Sequence, residues 1–557
     1  MERSTLVGQA LFFVLMSVLG FLCYSNSFDV PFQYDDFGFG IKKNSPFAGM
    51  VTVASLWEKY PARFLGLLSF SVDIRLFGDH TRGYHVVNFI IHLLMGGVLF
   101  VFIQKLNQVK KVPEALGLYV AAFASLLYVC HPLNTQAVTY LVQRFTSLAS
   151  LCFLGSLLCY VNYRIKRSHY WFAGSVLLAL LANVTKETGA TVAVVWLMLD
   201  WCFFQLPRPE LKRSFMVWAV GVTGVLLFPF LLFFFGNSVS LSDVQLTENE
   251  FTSFTYFLTQ FKVILLYLKL FFVPLGQSVF HDIPVVSSVL ELEFFFAFLI
   301  HGGLVLIGLL SRKNHPLITF GILFYYVAIS PDSSVVPLPH EAFEHRTYLG
   351  NAGLLMAVGG LITLLGGVPS IKARVRPMLA QSVAVSIVLV FGLLTFNRND
   401  VWGSVETLWT EALNLYPEHS TPNVLLGNHY AKRKDFEKAA PYFVRASQYD
   451  PDNPVHYGNI GISFVQIGQH KRALEAFEEA LRLEAENPRR YRDLGAMLMK
   501  MGQLDSAERV LQKCITDLEK SRLCELRLQK LKKKMKRAAG GAAVRPEGEP
   551  GNERTVQ

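Results

Sequence analysis

Phe32-Gln33-Tyr34-Asp35-Asp36-Phe37 is the stretch around which the rest of the chain is organised. It follows the first long apolar run, Leu6 to Tyr24, with only a few polar residues between. An acid pair at the edge of a membrane span is costly unless it meets water, a partner charge or a substrate. Two carboxylates in that place mark a candidate site, and the surrounding sequence says of what kind.

The 557 residues are 52% hydrophobic and 17% charged, with 46 Phe, and the mean hydropathy is +0.35. A soluble domain carries about 25% charged residues. Here the charges gather in the last third, so the chain reads as a membrane-spanning all-α bundle followed by a soluble arm. The net charge of +10 does not point to nucleic acid, because the basic residues of the membrane half occupy short loops, where they set orientation. No small-residue cleavage site follows the first apolar run, which is therefore expected to stay as a span. Cys23, Cys130, Cys152, Cys159 and Cys202 lie in or beside apolar runs and read as packing. Cys514 and Cys524 can pair if the arm sits in an oxidising compartment, which nothing in the sequence requires.

A span needs about 20 apolar residues. Candidates are 6–24, 84–104, 115–130, 137–163, 170–184, 188–205, 214–236, 255–273, 292–311, 315–331, 350–367 and 378–396. The basic loops at Lys105/Lys110/Lys111, Arg164/Lys166/Arg167, Arg208/Lys212/Arg213, Arg312/Lys313 and Lys372/Arg374/Arg376 should all be cytoplasmic. They alternate correctly only if one segment between 236 and 311 does not cross. The segment 255–273, with Lys262 and Lys269 and an end at Pro274, is expected to re-enter or lie along the interface. That predicts about eleven crossings and puts the C-terminal arm on the side of Asp35 and Asp36. The outer loops 25–83, 131–136, 185–187, 237–291 and 332–349 then hold most of the unusual polar residues: Arg63, His85, His131, Gln136, Lys186-Glu187, His281-Asp282 and Glu344-His345-Arg346.

The arm repeats. Gly427, Gly461 and Gly495 stand 34 residues apart, as do Ala439, Ala473 and Ala507; Phe443, Phe477 and Leu511; and Ala446, Ala480 and Cys514. Pro451 and Pro488 read as closing residues, and Trp409, Ala412 and Pro417 match half of a preceding repeat. This is the tetratricopeptide pattern, in which small residues let paired helices approach and aromatics fill the groove between them. The domains are expected to be 1–398 for the membrane bundle, 399–529 for an α-solenoid of repeats, and 530–557 for a basic disordered tail.

Asp35 and Asp36 can divide the work of a general base and a supporting acid. Arg63, Arg144, Lys186 and Arg346 are conspicuous cations at the ends of the apolar runs, each readable as a residue snorkelling to headgroups. Lys186-Glu187 reads equally as a local ion pair. His85, Asn88 and His92 share one helix face and form either a metal site or a polar seam between helices. Glu344 and His345 with Arg346 form a charge cluster, either for substrate contact or as an ion network.

The ordered set Phe32-Gln33-Tyr34-Asp35-Asp36, Arg63-Phe64 through Ser69-Phe70, Gly83-Tyr84-His85-Val86-Val87-Asn88 with His92, His131-Pro132 through Gln136-Ala137-Val138, Gln143-Arg144, Thr185-Lys186-Glu187 and Glu344-His345-Arg346-Thr347-Tyr348-Leu349 resembles the GT-C superfamily of lipid-linked glycosyltransferases. Within it, the chain resembles the O-mannosyltransferase-like proteins with C-terminal tetratricopeptide repeats. The resemblance implies a polyprenyl-phosphate sugar donor (mannose in that branch), a protein Ser or Thr hydroxyl as acceptor, Asp35 as base with Asp36 in support, and inversion at the anomeric carbon. It also implies cations for the leaving phosphate, with Arg63, Arg144, Lys186 and Arg346 as candidates, and contacts to substrate from His85, His131, Gln136, Glu187, Glu344 and His345. An acid often stands in that branch where this chain has Gln136, so a metal is left open: no cofactor is required and a divalent cation is compatible. The repeats would bind acceptor protein or a partner subunit. The expected location is a bacterial inner membrane with site and repeats extracytoplasmic, or the endoplasmic reticulum membrane in a eukaryote. The rival reading is a non-catalytic scaffold or assembly factor that recruits partners through its repeats. A transporter is disfavoured because the polar groups sit at span ends and not in mid-span.

Overall fold

The computed structural model describes residues 2–38, 53–204, 218–228, 252–338, 340–366, 375–518 and 521–542. The described residues are helical, with no strand, and divide into two compact units, residues 1–408 and 409–557. The basic-loop residues Arg208, Lys212, Arg213, Lys372 and Arg374 lie outside the described residues, as do the tail 543–557 and both ends of the expected span 214–236.

Among the described residues of the first unit, seven helices are long and apolar enough to cross a membrane: Val7–Tyr24, Thr81–Val109, Leu141–Lys166, Ser253–Phe272, Leu292–Ser311, Glu344–Leu365 and Gln381–Trp402. His169–Asn183, Val192–Phe203 and Pro316–Ile329 are shorter, at 15, 12 and 14 residues. Hydropathy alone merges these with their flanks, because it does not register the helix breaks at 184–191 and 330–343. The segment read as re-entrant or interfacial is one continuous helix, Ser253–Phe272, so the re-entrant form is corrected. Lys262 on it pairs with Glu293 of the following helix, which neutralises the charge that had argued against an ordinary span.

The expected span 137–163 is corrected at its start. Glu114–Val129 ends, the chain bends by 52°, and Pro132–Thr139 follows. A further short turn, Leu141–Gln143, precedes the long helix Arg144–Lys166. Pro132 occupies the first turn, where its missing N–H costs nothing. Residues 130–143 thus form a buried strap of short turns. Buried irregular backbone survives only where protein groups satisfy it, and they do so here. Asn134 Nδ2 donates to the Tyr128 carbonyl at 2.8 Å, Thr395 Oγ1 to Cys130 at 2.7 Å, and Asn88 Nδ2 to Val138 and Leu141 at 3.1 and 3.3 Å.

The second unit follows the repeat. A Cβ on Gly427 would stand 2.7 Å from the Phe443 ring, one on Gly461 2.7 Å from Phe477, and one on Gly495 2.9 Å from Leu511. Ala439, Ala473 and Ala507 are fully buried. Pro488 opens a helix behind the cap Asn487, and its counterpart is Pro454 behind Asn453, not Pro451. The stretch 530–542, expected to be disordered, belongs to a helix, Arg522–Ala542, that Leu528 and Leu531 pack into the array. Cys514 and Cys524 form a disulfide that fastens this helix.

Helices Pro316–Ile329 and Tyr348–Gly366 touch through glycines. A Cβ on Gly321 would lie 2.4 Å from the Gly353 carbonyl, whereas one on Gly302 meets nothing within 4 Å. Small residues at such a crossing let backbones approach without lipid between them. Gly321→Leu should lower the melting temperature in detergent, at a cost of about 1–3 kcal/mol or more for forced overpacking. Gly302→Ala should leave it unchanged or raise it.

Candidate functional site

A cavity of about 310 Å³ in the first unit is lined by Asp35, Arg63, Val142, Gln143, Phe145, Lys186, Glu187, Asp332, Leu338, His340, Phe343, His345 and Arg346. It gathers Asp35, the three candidate cations Arg63, Lys186 and Arg346, and two candidate contacts, Glu187 and His345. The loop ends that bring them together are the short helix Asp35–Gly38, the turn Pro61–Arg63, the strap, and the turns Glu187–Thr191 and Glu344–Thr347.

Asp35 is half-buried, and its amide donates to the Tyr140 hydroxyl at 2.7 Å. Burial pushes its carboxyl above the ordinary aspartate value of 3.8, and the Tyr140 hydrogen bond pulls in the opposite direction. Arg63 pairs with Glu187 at 2.8 Å. Lys186 reaches Thr146 Oγ1 at 3.1 Å and Asp332 at 3.6 Å. Arg346 donates to the carbonyls of Glu341 and His340, both at 2.8 Å. The cavity therefore carries Arg63, Lys186 and Arg346 against Asp35, Glu187 and Asp332, an even count with every cation already engaged.

The other candidates lie behind the wall and are corrected to structural roles. Asp36 does not line the cavity; its two carboxylate oxygens accept from Gln33 N and Val142 N, both at 2.8 Å, and so tie the acidic loop to the strap. Arg144 is fully buried and spent on Asp73 at 2.5 Å, Asn88 Oδ1 at 2.6 Å and the Tyr84 carbonyl at 3.0 Å. It has no reach to a phosphate. His85 holds the Val30 carbonyl at 2.9 Å, and His92 sits between Tyr348 OH at 2.8 Å and the Val129 carbonyl at 3.1 Å, so with Asn88 they form the seam and not a metal site. His131 is consumed by the Phe271 carbonyl and Leu133 N. Gln136 accepts from His345 N at 2.7 Å and so supports the wall from behind. Glu344 takes Gln277, Ser278 N and His281 at 2.8, 2.7 and 3.0 Å, which makes it the centre of an ion and hydrogen-bond network. Among the described residues no group of three or more His, Cys, Asp or Glu is placed to hold a metal ion, so the divalent cation left open by the sequence finds no ligand set there.

Sequence reasoning missed Asp332, His340, Phe343 and Tyr140, and quoted Gln143 only beside Arg144 in a motif, with no role. Asp332 and His340 fall in an outer loop that the charge pattern had marked, but neither stands in a motif. Tyr140 and Phe343 look like any buried aromatic.

A tetratricopeptide repeat family model matches residues 465–516. Over 454 residues the chain is 24% identical to human Protein O-mannosyl-transferase TMTC3, covering 74% of this chain and 47% of that protein. Against human Protein O-mannosyl-transferase TMTC2 the identity is 29% over 263 residues, covering 43% and 30%. Against human Protein O-mannosyl-transferase TMTC4 it is 23% over 495 residues, covering 77% and 65%. The relatives matched are protein O-mannosyl-transferases. They agree with the resemblance carried by the motifs, and the chain spans about half the length of the first of them.

Removing one partner from a buried ion pair leaves an uncompensated charge and costs about 3–5 kcal/mol. Asp73→Asn and Arg144→Leu should therefore abolish recovery of monodisperse protein in detergent. Arg63→Ala, at the cavity, should not. Size-exclusion profiles at equal expression check both.

Proposed function

We propose that this chain is an integral-membrane glycosyltransferase that moves a sugar, with mannose favoured by the names of its relatives, from a polyprenyl-phosphate carrier to a Ser or Thr hydroxyl of a protein. The observation that carries the reading is the cavity in which one carboxylate, Asp35, shares its walls with Arg63, Lys186 and Arg346. A base for the acceptor and cations for the leaving group are what a single displacement needs. The acceptor oxygen attacks the anomeric carbon and its proton passes to Asp35. The bond from that carbon to the phosphate oxygen breaks with inversion, and the lipid phosphate leaves toward the cations. The phosphate enters by exchange: Lys186 and Arg63 trade a carboxylate for it.

A second cavity supports a lipid-linked donor. It measures about 340 Å³ and is lined mainly by apolar side chains, Phe257, Phe261, Ile264, Phe298 and Tyr326 among them, together with Gln260, His301 and Ser333. Ser333 is the chain neighbour of Asp332 in the polar cavity, so an apolar tail and a charged head find adjoining walls.

The repeats favour protein binding, by acceptor or partner subunit. The disulfide Cys514–Cys524 favours an oxidising compartment for the arm. The human source of the relatives favours the endoplasmic reticulum membrane over the bacterial inner membrane, with site and repeats on the lumenal face.

Asp35→Asn should lower protein O-glycosylation by about a hundredfold or more, the contribution of a positioned base, at unchanged protein level. The wild-type rate should fall as the medium is acidified through the raised Asp35 value, because the base works only when ionised. Mass spectrometry of secreted proteins from cells carrying either form reads the loss. Undiminished product in Asp35→Asn would leave the scaffold reading in its place.

The compartment has its own check. With thiols blocked before lysis, the arm should run faster on a non-reducing gel than on a reducing one. The shift should vanish in Cys514→Ser, and a free thiol pair in the wild type would contradict the lumenal arm.

A further inference from the structure

The side-chain amide of Gln136 is fixed from both ends. Its Nε2 donates to the Val279 carbonyl at 3.3 Å, and its Oε1 accepts the backbone N–H of His345 at 2.7 Å. Turned over, it would set an N–H against an N–H and an oxygen against a carbonyl. Its orientation is therefore decided by backbone groups that cannot exchange roles. The same Oε1 lies 3.1 Å from His345 Nδ1. An amide oxygen only accepts, so Nδ1 carries a proton. In a neutral imidazole the other nitrogen is then a bare acceptor.

That nitrogen, Nε2, has no partner among the described residues. His345 is 7% exposed and lines the polar cavity. Its ring stacks on Phe343 with centroids 5.2 Å apart and planes at 25°. Phe343 is itself tied by its amide to the Tyr267 hydroxyl at 2.9 Å. The imidazole is thus held by its face and by its Nδ1 edge. The charged groups around it on the cavity wall are Arg63, Lys186 and Arg346 with Asp35, Glu187 and Asp332, beside the second imidazole, His340. Glu344, its chain neighbour, is turned onto Gln277, Ser278 N and His281. A further positive charge beside three cations is disfavoured, and among the described residues no carboxylate bonds His345. The neutral ring is the stable form.

On the reading of this cavity as the glycosyl-phosphate site, we infer that His345 reads the sugar: with its proton on Nδ1, it uses the bare Nε2 to accept a hydrogen bond from a hydroxyl of the transferred sugar, while Arg346 takes the phosphate. The two residues are adjacent in one turn, Glu344–Thr347. A glycosyl phosphate likewise carries hydroxyl donors and anionic oxygens a few bonds apart. Of the other acceptors on the wall, Glu187 and Asp332 face cations, and Asp35 is kept for the acceptor alcohol.

Solid-state nitrogen-15 NMR of the histidine-labelled full chain in nanodiscs reads the tautomer. The signals lost in His345→Gln belong to His345. They should show one protonated and one bare ring nitrogen at neutral pH, and the bare one should shift when polyprenyl-phosphate mannose is added. Gln136→Glu places a carboxylate against Nδ1 and should drive the ring toward double protonation, which identifies the same signals if the His345 variant does not fold. A ring protonated on both nitrogens, or a bare nitrogen unmoved by saturating donor, overturns the inference.

Kinetics separate a contact to sugar from a prop for the wall. Glutamine reaches as far as Nε2, asparagine only as far as Nδ1. With polyprenyl-phosphate mannose and a Ser/Thr-rich peptide library, His345→Asn should raise the donor KM about tenfold, the loss of one hydrogen bond. His345→Gln should stay near wild type. A residue that only fastens Gln136 gives the reverse order, which overturns the inference. Donors lacking one mannose hydroxyl each extend the test. One of them should lose about tenfold in kcat/KM on the wild type and nothing further on His345→Asn. Intact turnover with no such selective donor sinks the His345 contact alone. A wild-type chain that neither binds nor turns over the mannose donor sinks the glycosyltransferase reading, and the contact with it.

Discussion

The whole site hangs on Asp36, a residue that does not enter it. Its two oxygens accept one amide from the loop after the first span and one from the strap, whose Val142 and Gln143 line the cavity. A carboxylate bonded to buried amides is a strong clasp, since charge-assisted bonds are about twice as strong as neutral ones. The strap needs it. Residues 130–143 have left helical geometry while almost all of them are buried, so side chains must satisfy their backbone. Asp36, Asn88, Asn134 and Thr395 supply what the lost helix would have supplied. The same clasp turns the neighbouring Asp35 toward the cavity, so two adjacent acids of identical chemistry take different tasks because one is used up.

The charges inside the cavity obey a second constraint. Taking an ion out of water costs several kcal/mol even after relaxation. Arg63 with Glu187 and Lys186 with Asp332 offset that cost. Arg346 is held by two carbonyls and not by a carboxylate. It is thus the cavity cation whose charge is least cancelled at short range. The pairs leave the cavity electrically even, with each of those two cations facing a carboxylate.

Much of this was legible in the sequence, and the boundary of legibility is physical. Asp35, Arg63, Lys186, His345 and Arg346 could be found because ionisable residues beside apolar runs are conspicuous by cost alone. Cost does not say which neighbour neutralises a charge. Arg144 looked as suitable as Arg63, and only Asp73, 71 residues away in the chain and 2.5 Å away in space, removes it from the site. Asp332 and Tyr140 escaped for the converse reason: a lone acid in a loop and an aromatic in an apolar stretch have no periodicity to mark them.

The repeat arm makes the contrast plain. There the residues that touch are a fixed distance apart in the chain: Gly427 against Phe443, Gly461 against Phe477, Gly495 against Leu511, 16 residues in each case. A contact at constant spacing, repeated, becomes a period, and a period can be read without a structure. The cavity has no such regularity, because it joins residues from 35 to 346 that meet once. Spacing carries local, repeated contacts, and the price of a charge in lipid flags the ends of spans. The pairing of one flagged charge with another is set by how the strap bends, and the bend depends on side-chain bonds to a backbone that local sequence would have left helical.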